Sequence, residues 1–237
     1  MSEPDPQPIL AHLEELRRRL IKVAIAIAVG AGFALIFAQQ LTSILERPFE
    51  IAAPEYSLIA LSPAEEFSIL MRVAMFGGII LASPVILYQI WAFINPALTT
   101  RERKWAVPLV TVFVVLFVAG VLFGYLLLPR GLEVLIGIFP KVENNLRIGD
   151  YYSFVLRLML AFGVTFQFPV FLFAAAAAGA VTSRQLATGR RWAILVITIV
   201  AAIVTPTGDP LTLAALAIPL YLLYELTYWS VRLILRK

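Results

Sequence analysis

The chain has no cysteine and a single histidine, and charged side chains occupy only 14% of its 237 positions. Without cysteine there is no disulfide framework, no thiolate chemistry and no cysteine-ligated metal. His12 stands alone and most acidic residues are spread among separate segments, which argues against a catalytic metal centre. No nucleotide-binding glycine loop and no hydrolase nucleophile motif occurs, so no catalytic residue, metal ligand or cofactor is assigned. A formal charge of +4 is too modest to make nucleic acid the expected partner.

Apolar residues are what the chain has in excess. They make up 61% of it, and the mean hydropathy is +0.89. A water-soluble domain of this size needs a polar skin, which 19 basic and 15 acidic residues separated by long uncharged runs do not supply. Uninterrupted apolar stretches lie near 20–38, 67–94, 105–128 and 151–178, each long enough to cross a hydrocarbon core as a helix. Two further stretches, 192–204 and 211–224, are short. They span only if their flanks, to about 190–205 and 210–227, enter a thinned or water-penetrated bilayer. The runs lack the alternating polar residues of a barrel strand. Pro84, Pro108, Pro169 and Pro219 therefore predict bends within helices, and Gly77, Gly78, Gly120, Gly124 and Gly163 are candidates for close helix contact.

Basic residues cluster in alternate connections: Arg17, Arg18, Arg19 and Lys22; Arg101, Arg103 and Lys104; Arg184, Arg190 and Arg191; Arg232, Arg236 and Lys237. The positive-inside rule puts these, and both termini, on the cytoplasmic side. Glu14 and Glu15 beside the first apolar run, with no small-residue processing site, favour an uncleaved first span over a signal peptide. The opposite connections, 39–66 and 129–150, mix proline with Leu, Ile and Phe and are expected to hold short interfacial helices as outer-face caps. Within them Ser62-Pro63-Ala64-Glu65 reads as a helix start with a capping box. Arg72 and Arg157 then fall inside the second and fourth spans near the outer boundary, where they snorkel or pair with loop acids.

Five motifs carry a resemblance. They are His12-Leu13-Glu14-Glu15-Leu16-Arg17; Phe93-Ile94-Asn95-Pro96-Ala97-Leu98 followed by Glu102-Arg103-Lys104; Phe162-Gly163-Val164-Thr165-Phe166-Gln167-Phe168-Pro169-Val170; Thr205-Pro206-Thr207-Gly208-Asp209; and Ala217-Ile218-Pro219-Leu220-Tyr221-Leu222-Leu223-Tyr224-Glu225. Together, in this order along nearly the whole chain, they resemble the C subunit of the twin-arginine protein translocase, the TatC family. The resemblance implies one membrane-embedded receptor domain over 1–237, all-α and polytopic, with six transmembrane helices of which the last two are short. It also implies a bacterial or archaeal-type cytoplasmic membrane, folded cargo bearing a twin-arginine signal peptide, and indirect powering by a proton gradient. Single-span partner subunits, membrane lipids and self-association within a larger complex complete the expected partners.

Carried over by motif position, Glu15 and Glu102 become the acidic contacts for the signal, with Arg17 and Arg19 shaping the surface around them. On charge alone Glu15 is a solvated i,i+4 partner of Arg19, and Glu102 an ion-pair partner of its basic neighbours. Gln167 stands where family members commonly have Glu. It keeps a carbonyl acceptor but loses a titratable proton, so a relay role is in doubt while a partner contact or helix packing remains open. Pro48, Asp209 and Glu225 mark structural or functional loop and helix ends. A small-solute secondary transporter is the alternative reading, and a membrane receptor without translocation activity is a third. No internal repeat or clustered ion site supports the transporter.

Overall fold

A computed structural model describes residues 7–94, 106–137, 145–177, 179–204 and 210–235. Its large apolar side chains are exposed where a soluble protein would hide them: Val29 is 69% accessible, Ile36 72% and Ile203 78%. Five stretches, His12–Ile36, Pro63–Phe93, Val110–Gly137, Ile148–Ala177 and Leu213–Leu233, are long and apolar enough to cross a bilayer. The molecule is a polytopic helical membrane protein.

Helix α1 (Gln7–Ile36) leads into α2 (Ala38–Ala52), then α3 (Pro63–Ile94) and α4 (Ala106–Gly137). The fourth apolar stretch is α5 (Ile148–Thr165) and α6 (Phe168–Ala177), separated by a turn at Phe166 and Gln167. A short α7 (Ser183–Thr188) precedes α8 (Arg190–Val204) and α9 (Pro210–Ser230), which ends in a π-helical turn, Val231–Leu235. Thr182 and Gln185 form a capping box that starts α7 within the connection that carries Arg184. α9 outruns its 211–224 apolar core because Glu225, which interrupts that core, is neutralised by Arg190 of α8.

Small residues set the tightest seam. Gly30 and Ala31 of α1 lie against Gly78 of α3, close enough that a Cβ built on Gly78 meets the Ala31 nitrogen at 2.5 Å. Gly120 of α4 faces the Phe162 carbonyl and Gly163 of α5 in the same way. The expectation of close contact at these glycines holds, and Gly30 joins them. α4, α5 and the turn that follows α5 then bury Phe113, Phe117, Phe162 and Phe166 in the core.

The connections 39–66 and 129–150 differ from the expected pair of caps. The first does form a helix, α2, but its following residues make strand β1 (Ser57–Ile59), which pairs in parallel with β2 (Asn145–Arg147) from the other connection. Extended pairing satisfies backbone groups that two separate caps would leave to solvent. Glu65 fastens the pair. Its Oε1 accepts from Arg147 Nε at 2.7 Å and from the Gly149 N–H at 3.2 Å, while Oε2 accepts from the Leu61 N–H at 2.9 Å. α3 starts at Pro63 as expected, but Glu65 reaches one residue beyond the anticipated capping-box donor and across to β2. Pro48 corrects the expectation of a loop or helix end, since it is buried inside α2. Proline there frees the Ile44 carbonyl, and the Tyr125 hydroxyl donates to it at 2.9 Å. Tyr151 donates to the Leu45 carbonyl and Tyr152 to Glu46 Oε1 at 2.8 Å, so α2 is bolted to α4 and α5. At Pro84 the freed Ile80 carbonyl accepts from Ser83 Oγ at 2.7 Å, which lets α3 continue unbroken.

Candidate functional site

α1 runs antiparallel to α3, so the N-terminal motif returns to the end of α3 from which residues 95–105 depart. Arg19 makes that junction. Its Nε donates to Glu15 Oε1 at 3.0 Å and its Nη2 contacts the same oxygen. Nη1 donates to Gln89 Oε1 at 3.2 Å, and Nη2 to the Ala92 carbonyl at 3.0 Å. One turn before Glu15, His12 stacks on Phe93 with ring centroids 4.5 Å apart. The expected i,i+4 pair is therefore present, but it is also docked on the neighbouring helix. Glu15 Oε2 has no partner among the described residues, and the side chain remains 32% accessible. Arg17 is exposed on the same helix. Glu102 and Asp209 lie outside the described residues.

Gln167 and Glu225 occupy other surroundings. Gln167 is buried at the α5–α6 turn, where Nε2 donates to the Gly163 carbonyl at 3.3 Å and Oε1 is left without a partner. Leaving that acceptor unpaired costs on the order of 1–3 kcal/mol. Glu225, expected at a helix end, instead lies partly buried within α9. Arg190 Nη2 donates to its Oε2 at 2.9 Å, Tyr221 donates to Oε1 at 3.0 Å, and Arg190 also lies over the Tyr228 ring. The pair ties the start of α8 to the end of α9.

Sequence reading missed two residues of these clusters. Gln89 is a buried amide within an apolar run, a signal that was available. In the sequence Arg190 carries only a topogenic signal, because its partner is 35 positions away and local spacing holds no trace of the pair.

This arrangement has a known counterpart. The family model described as Sec-independent protein translocase protein (TatC) matches residues 11–219. The chain belongs to the TatC family. A TatC from Aquifex aeolicus (strain VF5) is 42% identical over 234 residues, covering 97% of each chain. A TatC from Carboxydothermus hydrogenoformans is 33% identical over 244 residues, covering 99% of this chain and 97% of that one. Among solved structures, a crystal structure of the twin arginine translocase receptor TatC in DDM superposes with a TM-score of 0.79 at 42% identity, covering 94% of this chain and all of that one. A second crystal structure of the same receptor gives 0.74 at 39% identity. The TatC match extends from the N-terminal motif through Gln167 to Pro219.

Proposed function

We propose that Glu15 and Glu102 together seat the arginine pair of a signal peptide, with Arg19 holding Glu15 in position and Arg17 shaping the rim. A TatC-family chain is the receptor and core subunit of the twin-arginine translocase, which exports folded proteins, and it is a translocase component without catalytic activity. The observation that carries the proposal is the one-sided use of Glu15. Arg19 binds Oε1 and is itself anchored to Gln89 and Ala92, while Oε2 is open to an incoming donor. A guanidinium is a rigid fork of donors, so two fixed carboxylates impose an orientation on an arginine pair that they would not impose on two lysines.

In this reading Gln167 offers its unpaired Oε1 to a single-span partner subunit or to the signal backbone. α8, 15 residues long, makes a sixth, shortened crossing beside α9 through a locally thinned bilayer. The lysine and arginine bias then leaves both termini in the cytoplasm.

Site-specific crosslinking to an arginine-bearing signal tests the seat. Glu15→Gln and Glu102→Gln are each expected to weaken it, and both together to abolish it. Undiminished crosslinking in the correctly inserted double variant would refute the assignment.

A further inference from the structure

α3 and α5 begin side by side at the Glu65 junction and run in the same direction. Arg72 stands nine residues after Pro63 and Arg157 nine residues after Ile148, so the two guanidiniums enter the apolar layer at matching depth, roughly 13 Å along each helix. A cation there needs an anionic partner or water. Neither arginine has an ion-pair partner among the described residues, and both are exposed. Arg72 is nonetheless positioned: its Nη1 donates to Ser153 Oγ at 2.6 Å, and Ser153 in turn donates to the Gly149 carbonyl at 2.7 Å.

The space around them has two halves. A polar cleft of about 570 Å³ holds Arg72, Arg147 and Arg157 with Ser68 and Ser153. Two carboxylates also line it, but Glu65 is taken up by Arg147, which leaves exposed Asp150 against two guanidiniums that have no ion-pair partner among the described residues. Below it an apolar groove of about 370 Å³ is lined by Met71, Met75, Phe76, Ile79 and Leu160. Arg72, Leu156 and Arg157 belong to both, so the cleft and the groove are continuous.

We propose that this α3–α5 groove binds an anionic phospholipid, its phosphate between Arg72 and Arg157 and an acyl chain along Met75 and Leu160. A lipid matches both halves at once and is the solvent on that face of the helices, whereas the cationic region of a twin-arginine signal is repelled by them. The inference does not depend on the Glu15 and Glu102 seat.

Native mass spectrometry of the purified full chain, titrated with dioleoyl phosphatidylglycerol, dioleoyl phosphatidylcholine or inorganic phosphate, tests it. Phosphatidylglycerol is expected to bind at least about tenfold tighter than phosphatidylcholine, a preference worth about 1.4 kcal/mol. Arg72→Gln with Arg157→Gln should remove the preference, and Arg130→Gln, an exposed cation paired with Glu133 elsewhere, should not. Met75→Trp leaves both arginines and fills the groove, so it should weaken phosphatidylglycerol retention even if the double variant proves unstable. Equal retention of the two lipids by the wild type, unchanged phosphatidylglycerol binding in Met75→Trp, or phosphate binding as tightly as phosphatidylglycerol would each overturn the proposal.

Discussion

Replacing Gly78 of α3 should unfasten α1 from α3, and replacing Gly32 of α1 should not. A Cβ on Gly78 would lie 2.5 Å from the Ala31 nitrogen, 2.7 Å from its Cα and 2.8 Å from its Cβ. Two of these are backbone atoms, so no side-chain rotation relieves the clash. Carbon contacts are favourable near 3.5–4.0 Å, so the two helices must part by about 1 Å, and a gap of that size forfeits up to roughly half of each dispersion contact along the seam. Overpacking of this kind costs about 1–3 kcal/mol. Gly32, two residues from Gly30, offers the control: a Cβ there meets nothing within 4 Å. Gly32→Ala therefore gains about 0.5–1 kcal/mol from reduced backbone freedom. The same backbone gain applies at Gly78, so the two variants should differ by the overpacking cost, about 1–3 kcal/mol, with Gly32→Ala the more stable. Reversible unfolding in bicelles by steric trapping measures both. A Gly78→Ala protein as stable as the wild type, or a Gly32→Ala protein as damaged as Gly78→Ala, would refute the packing argument.

Two further outcomes follow from the site. Gln167→Leu removes a buried unpaired acceptor, so the isolated chain should gain roughly 1 kcal/mol of stability while crosslinking to partner subunits and export fall; destabilisation with unchanged partner crosslinking would show that Gln167 is a packing residue. Single cysteines introduced into this cysteine-free chain report topology by membrane-impermeant labelling. Positions near Arg190 and Arg232 should label only from the cytoplasmic side and those flanking the end of α8 only from the other. Labelling of both ends of α8 from one side would rule out its crossing, and ordinary bilayer depth around 192–224 would rule out local thinning.

Much of this architecture is written locally. Long apolar runs with few charges leave helices as the structure that satisfies its own backbone in lipid, and the start of α3 at Pro63 follows from proline's fit to a first helical turn. The Glu15–Arg19 pair is legible too, because residues four apart share a helix face. The β1–β2 pairing is not. Three-residue strands carry no usable periodicity, and their partners come from connections 88 positions apart. Pro48 misled for a related reason. Proline normally breaks a helix, and only the Tyr125 hydroxyl, supplied by α4, repairs the carbonyl it frees.

The sequence by itself determined that the chain lives in a membrane, that its long apolar runs are helices, and through its motifs the TatC family. Those properties depend on composition and on short-range spacing. Tertiary structure decided the rest: that Arg19 anchors Glu15 to Gln89 and Ala92, that Arg190 of α8 pairs with Glu225 of α9, and that Arg72 and Arg157 share one groove. Each of these depends on which helices become neighbours. That choice is set by where glycine allows two backbones to approach, a property of pairs of surfaces that no single segment carries.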